Sequence, residues 1–235
     1  MSVEGKGLAF EFGEEVSIAP PLVQGADART SIVGGVVKRA ADIAIAAIGL
    51  LMLVPLLLLI ALAVRATSRG PVFFGHRRIG AGGKVFRCWK FRSMVENGEA
   101  VLTRYLAENP KAQAEWDETR KLKDDIRITL IGRILRDYSL DELPQLVNVL
   151  RGEMSIVGPR PVVADELGLY GSDARFYLAA RPGITGLWQV SGRNDVSYET
   201  RVALDKAYVL GWSVRGDLGI ILRTIPAALS ARGAY

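Results

Sequence analysis

IAIAAIGLLMLVPLLLLIALAV, residues 43–64, decides how this chain is built. A helix over this run, at ~1.5 Å per residue, just spans a bilayer core of ~30 Å. Two features argue against simple spanning. Pro55 has no amide hydrogen to give the Leu51 carbonyl and favours a sharp bend. Lys38 and Arg39 precede the run and Arg65 and Arg69 follow it, so the positive-inside rule holds both ends on the cytoplasmic side. A helix that enters the membrane, breaks at Pro55 and returns satisfies both. A spanning helix that tolerates its proline and a buried helix of a soluble protein are the alternatives. The freed carbonyl then needs a partner from protein or water. Asp42 reads as an interfacial residue rather than one in hydrocarbon.

Upstream, residues 1–35 are rich in Gly and Pro and lack a basic start followed by an apolar core. They read as a flexible segment rather than a signal peptide. The chain has 235 residues and a formal net charge of +5, which suits anionic partners. Its single cysteine, Cys88, excludes an internal disulfide and fits a reducing compartment. No nucleic-acid-binding motif is present, so a basic nucleic-acid binder is disfavoured.

Downstream, PVFFGHRRIGAGGKVFRCWKF (residues 71–91) sets two apolar-aromatic runs around a glycine-rich turn, the pattern of a β-hairpin. Its glycines match neither dinucleotide nor P-loop spacing. Arg77, Arg78, Lys84 and Arg87 read as a solvated or headgroup-facing surface. Lys90 and Arg92, alternating around Phe91, can share one side of a strand and are candidates for a phosphate site. Residues 96–123 read as two helices split at Pro110.

SLDELPQLVNVLRGEMSIVGPRP, residues 139–161, is the densest chemical signal. Asp141 and Glu142 stand where a helix should begin, with Arg136 before them and Arg160 after a Gly-Pro break. Helix N-termini and guanidinium groups both attract anions. Ser139 and Glu142 have capping-box spacing, and Pro144 favours an early helical position. Leu140, Leu143, Leu146, Val147 and Leu150 recur at helical spacing as a buried stripe. Taken alone, the acidic pair reads first as a well-capped helix start, with catalysis the lesser alternative.

Residues 181–193 read as a structured loop around Trp188, with Arg193 and Asn194 facing either a ligand or solvent. Residues 197–209 read as a helix capped by Ser197, with Asp205 in a surface ion pair beside Lys206 or in a site. Residues 217–229 read as an amphipathic helix lying on a membrane or packed on the core.

The basic-flanked apolar segment with Pro55, GPVFF (70–74), KFRSM (90–94), SLDELPQLVNVLRGEMSIVGPRP and RPGITGLWQVSGRND (181–195) occur in this order. In that set the chain resembles the bacterial sugar transferases, the monotopic phosphoglycosyl transferases, and most of all their short exopolysaccharide-initiating members. The similarity runs from about Lys38 to Tyr235. It implies a mainly helical α+β fold: a re-entrant membrane helix-break-helix over 36–69, a small β-hairpin sheet, amphipathic interfacial helices, and a cytosolic catalytic domain over 70–235. It implies a monotopic enzyme on the cytoplasmic face of the bacterial inner membrane. Such an enzyme passes hexose 1-phosphate from a UDP-hexose, with glucose or galactose as the sugar, to undecaprenyl phosphate.

On the same resemblance Asp141 is the nucleophile, forming a sugar-phosphoryl aspartate and releasing UMP. Glu142 is a metal ligand or proton acceptor, and Asp141 and Glu142 hold Mg²⁺. Arg136 and Arg160 hold phosphates and Asp205 matches an acidic site position, while Lys90, Arg92 and Arg193 join them as the phosphate- or substrate-binding candidates read from the residues above. Oligomeric state is left open, a homo-oligomer included. Two departures stand out. Val54 occupies a place commonly held by Ser before the membrane proline, and His76 replaces a common Gln. The lone His76 reads as structural. A catalytically inactive membrane-tethered scaffold is the competing reading, disfavoured by the intact acidic pair and its arginines.

Overall fold

The computed structural model describes residues 32–119, 122–192 and 197–229. Residues 1–31, most of the expected flexible segment, lie outside that range. In chain order the elements are α1 (Gly35–Thr67), β1 (Phe73–Ile79), β2 (Val85–Phe91), α2 (Gly98–Glu108), α3 (Pro110–Thr119), α4 (Leu130–Asp137), α5 (Gln145–Arg151), β3 (Ser155–Val157), α6 (Ala164–Gly168), α7 (Ala174–Leu178), β4 (Gly183–Thr185), α8 (Leu187–Val190), α9 (Tyr198–Leu210) and α10 (Val214–Leu229). The fold is α+β and mainly helical, with two small two-stranded sheets, β1–β2 antiparallel and β3–β4 parallel.

Helix α1 carries the apolar run. Its most apolar window has a mean hydropathy of 3.0, and only 11% of that window is buried. Leu51, Met52, Leu58, Leu59 and Leu62 are exposed. A helix of this length and composition suggests membrane association. The helix runs through Pro55 without interruption. The break expected there is thus a proline inside one helix, not a loop between two.

Both ends of α1 are packed on the rest of the protein. At the start, Lys38 is buried and its Nζ lies 2.6 Å from Asp217 Oδ2. Arg39 donates to the carbonyls of Val149 and Leu150 at the end of α5, at 2.6 and 3.0 Å, where orphan carbonyls favour a cation. Asp42 accepts from Ser155 Oγ at 2.9 Å and from the Ile156 amide at 3.0 Å. These three residues bolt α1 to the body, and Asp42 is buried in protein rather than sitting at an interface. At the other end, Ile60 and Val64 are buried with Phe91 and Leu135.

The β1–β2 hairpin forms as expected, with His76 opposite Cys88 and Phe74 opposite Lys90. Its turn uses Gly82 and Gly83 at φ +65° and +80°, a region that L-residues with a side chain rarely adopt. Pro110 starts α3 directly after α2 ends. Residues 181–193, expected as a loop, contain β4 and α8. There Gly158 and Gly183 pack backbone on backbone, and a Cβ on either would fall within 2.3 Å of a main-chain atom. That contact lets GPRP and RPGIT meet.

Helix α5 is tied to β2 by Asn148, which is fully buried. Its Oδ1 accepts from the Trp89 amide at 3.0 Å, and its Nδ2 donates to the Arg87 carbonyl at 2.8 Å and to Glu153 Oε2 at 2.6 Å. Asn148→Ala strands all three partners. It is expected to lower stability by about 2–4 kcal/mol, measured by denaturant unfolding in detergent.

Candidate active site

The segment from Arg136 to Gln145 departs from the helix start that its capping signals suggest. Ser139 adopts φ +55°, and its side chain caps nothing. Residues 140–142 form one 3₁₀ turn, and α5 begins only after Pro144. Ser139 and Glu142 therefore do not form the expected capping box, and the Glu142 carboxylate is free to point elsewhere. The later start also shifts the helix phase. The inner face of α5 is Gln145, Leu146, Asn148 and Val149, while Leu150, expected in the buried stripe, is exposed.

This turn places Asp141 in a nearly buried position, 7% exposed. Lys90, from the end of β2, reaches both carboxylates: its Nζ lies 2.6 Å from Glu142 Oε1 and 3.7 Å from Asp141 Oδ2. Arg136, one turn before Asp141, anchors its Nε to Ser93 Oγ at 2.9 Å. Its remaining guanidinium nitrogens make no hydrogen bond or ion pair among the described residues. Gly132 makes this approach possible, because a Cβ there would lie 2.0 Å from the Ser93 carbonyl oxygen. Leu140 and Leu143 flank the acidic pair and pack with the second half of α1 around Ile60 and Val64. The carboxylates thus adjoin the apolar helix.

Burial raises the Asp141 pKa to about 6. Lys90 and Arg136 oppose the rise, and the like charge of Glu142 adds to it. Burial would lower Lys90, but Glu142 and Asp141 outweigh it and hold the ammonium above its ordinary value. At neutral pH the site holds an ionised, partly desolvated carboxylate between two cations. Such a group is suited to attack on phosphorus, and Arg136 has donors free for the phosphoryl oxygens.

The other expected residues divide. Arg92 does not join Lys90. The strand ends at Phe91, and Arg92 turns to the far end of α1. There it donates to the Ser68 carbonyl at 2.9 Å and to Ser68 Oγ at 2.8 Å. Arg160 and Asp205 meet in a second cluster. Asp205 is buried rather than paired at the surface, and Tyr170 Oη donates to it at 2.8 Å. Lys206 instead pairs with Asp173. Burial raises Asp205 to about 7, against the Tyr170 hydrogen bond and the fields of Arg201 and Arg160. Arg160 and Arg201 both lie over the Trp188 ring, at 5.2 and 4.5 Å. The expected contact of Arg193 lies outside the described residues.

Between the clusters lies one face of the β1–β2 hairpin, carrying Phe74, His76 and Arg78 opposite Phe86, Cys88 and Lys90. Arg78 is not a solvated surface cation. It lies 3.3 Å from Glu166, whose carbonyl accepts from Tyr198 Oη at 2.8 Å. Arg78 and Arg201 belong to the candidate site and were not singled out from sequence. For Arg78 the available signal was its alternation with Phe74 and His76.

No group of three His, Cys, Asp or Glu forms a metal centre among the described residues. The donor set still fits Mg²⁺, which is commonly held by one or two carboxylates plus substrate phosphates. Asp141 and Glu142 would be those carboxylates, and Lys90 lies within 3.7 Å of both.

The profile of the bacterial sugar transferases matches residues 33–231. Over 203 residues the chain is 58% identical to the exopolysaccharide production protein ExoY of Sinorhizobium fredii, covering 86% of this chain and 90% of that protein. It is 51% identical to the undecaprenyl-phosphate galactose phosphotransferase of Salmonella typhimurium, covering 84% of this chain and 41% of that protein. It is 42% identical to the UDP-glucose:undecaprenyl-phosphate glucose-1-phosphate transferase of Caulobacter vibrioides, covering 84% and 72%.

The charge arrangement makes a signed prediction. A carboxyl resonance lost in Asp141→Asn should titrate near pH 6. Lys90→Met removes a cation that stabilises the ionised form, so the midpoint should rise. Glu142→Gln removes a like charge, so it should fall. Carboxyl-¹³C NMR across pH 4–8 reads all three.

Proposed function

The chain belongs to the bacterial sugar transferase family, and on that premise we propose that it transfers hexose 1-phosphate from a UDP-hexose to undecaprenyl phosphate, initiating exopolysaccharide assembly. The observation that carries this reading is Asp141: a nearly buried carboxylate between Lys90 and Arg136, set against the apolar second half of α1. A lipid acceptor lying along that helix reaches the same carboxylate as a soluble donor entering from the hairpin face.

The Asp141 carboxylate attacks the sugar-proximal phosphorus. The bond from that phosphorus to the bridging oxygen breaks, and UMP leaves with the electron pair. An oxygen of the deprotonated lipid phosphate then attacks the phosphoryl aspartate. The bond between phosphorus and the Asp141 oxygen breaks, and the carboxylate returns to its starting state. Covalent capture turns one difficult transfer into two easier ones. Lys90 and Arg136 offset the repulsion between a carboxylate and an anionic diphosphate. When bound, Mg²⁺ held by Asp141 and Glu142 would neutralise diphosphate charge. Arg160, Arg201 and Asp205, with Arg193, take the nucleotide end of the donor. Glucose and galactose are the leading sugars, the two named in the related transferases.

The same reading puts the protein on the cytoplasmic face of the inner membrane, with α1 re-entrant and residues 70–235 cytosolic. The support is that both ends of α1 dock on one body: Lys38 and Asp42 at one end, Val64 and Ser68 at the other. Helix α10 buries Ile220 and exposes Val214, Leu218, Leu222 and Ile225, a stripe suited to the lipid interface. An inactive scaffold would have no use for a buried, cation-paired Asp141.

Purified protein given UDP-glucose or UDP-galactose, Mg²⁺ and undecaprenyl phosphate should release UMP. Asp141→Asn should lower the rate by more than ~10³-fold, and full activity in that variant removes the nucleophile. For topology, Val37→Cys and Arg69→Cys, both at exposed positions, should each resist a membrane-impermeant thiol reagent added to intact cells. Labelling of one but not the other establishes a spanning helix.

A further inference from the structure

His76 is the only histidine in the chain, and its surroundings do not suit the structural role that the sequence suggests. Its ring is partly exposed on β1, tilted against the exposed Phe74 ring at 6.2 Å between centroids, and it belongs to no core cluster among the described residues. Its hydrogen bond runs from Nδ1 to the Arg77 carbonyl at 3.0 Å. A carbonyl can only accept, so Nδ1 carries the proton and Nε2 presents a lone pair. On the same hairpin face His76 is diagonal to Lys90, which touches the acidic pair, and two residues from Arg78, which pairs with Glu166. It therefore stands between the two clusters of the candidate site.

We infer that His76 is a specificity-determining residue whose Nε2 accepts a hydrogen bond from a hydroxyl of the donor's hexose. The inference rests on the transferase reading above. An ionised phosphate has only acceptors and cannot donate to that lone pair, so the diphosphate belongs to Lys90 and Arg136. A hydroxyl can donate, and the hexose hangs from the phosphorus that Asp141 attacks. The surroundings also favour the neutral imidazole: partial burial and the neighbouring Arg78 lower its pKa, Lys90 adds to this, and the Arg77 carbonyl and Glu166 oppose it. A neutral acceptor flanked by cations distinguishes hydroxyl geometry without binding the phosphates itself.

The lone histidine makes the test direct. In Asp141→Asn protein labelled with ¹⁵N-histidine, the free state should show the Nδ1–H tautomer. UDP-hexose should shift Nε2 towards a hydrogen-bonded acceptor, and UMP should not. In the otherwise native enzyme, His76→Ala should lower kcat/KM for the preferred UDP-hexose by ~10-fold, with His76→Gln restoring most of it. That penalty should vanish for the one deoxyhexose donor that lacks the accepted hydroxyl, and thermal unfolding should be unchanged. The inference is overturned if Nε2 ignores the donor, if UMP shifts it equally (a ribose contact), or if His76→Ala costs the same for every deoxyhexose. Failure of the native enzyme to release UMP from any UDP-hexose would instead sink the transferase reading.

Discussion

A carboxylate kept nearly out of water, with an ammonium and a guanidinium near it, is the constraint around which this protein is organised. Burial alone would favour the neutral acid, which cannot attack phosphorus. The cations keep Asp141 largely ionised at neutral pH while its like-charged neighbour Glu142 pulls the other way. Each of these groups comes from a different place in the chain. Lys90 ends a strand, Arg136 ends a helix, and Asp141 rides a single 3₁₀ turn. Their mutual placement therefore depends on packing that contains no chemistry of its own. Asn148 fixes α5 to β2, and the missing side chain at Gly132 lets α4 lie against Ser93. Removing the Asn148 amide or adding a side chain at Gly132 would shift these charges relative to one another, and at this burial such shifts alter both protonation and reach.

The apolar helix obeys a related logic. Its middle is uncovered, yet its ends are fastened by strong polar contacts and tight apolar packing respectively. Lys38, Arg39 and Asp42 serve the body rather than simply flanking a membrane segment. A buried Lys38–Asp217 pair is weak evidence for added stability, since desolvation offsets much of the attraction. Its value lies in register: the Lys38 ammonium, Asp42 Oδ1 and the Arg39 donors each meet a partner from a different element, which together fix one docking of α1. The second half of the helix then has a defined position beside Leu140 and Leu143, and so beside the acidic pair.

How much of this could be read from the residues follows from the range of the forces involved. The long apolar run, the hairpin, the Pro110 split and the Ser197 cap (Ser197 Oγ accepts from the Thr200 amide) are local patterns, and each appears where expected. The acidic pair and Lys90 were also found, because side-chain type and strand alternation point to them. The misreadings share a cause. The Ser139 capping box obeyed a local rule, but Ser139 takes a left-handed conformation and the chain starts its helix later. That change moved the buried stripe and freed Glu142 for Lys90. Arg92 followed the alternation until the strand stopped one residue short of it. Asp205 and Arg201 are set by contacts between elements far apart in sequence, which no local spacing encodes, whereas Arg78 shares the alternation of β1 and takes only its partner, Glu166, from afar.

On the proposed reading, the two clusters and the hairpin face between them would divide among them a donor with three chemically distinct parts. Phosphate needs cations with free donors, which Arg136 would supply beside the proposed nucleophile. A flat base and its ribose need rings and planar cations, and Trp188 lies under two guanidinium groups. A sugar needs neutral groups that count hydroxyls rather than charges, and His76, set between Arg78 and Lys90 on the hairpin face, would provide one. Were that position also cationic, it would bind the diphosphate as well as Lys90 does and draw the donor out of line with Asp141. The neutrality of one imidazole among lysine and arginines thus follows from the same requirement that places the cations: the phosphorus must have a single best position, and it must face the buried carboxylate.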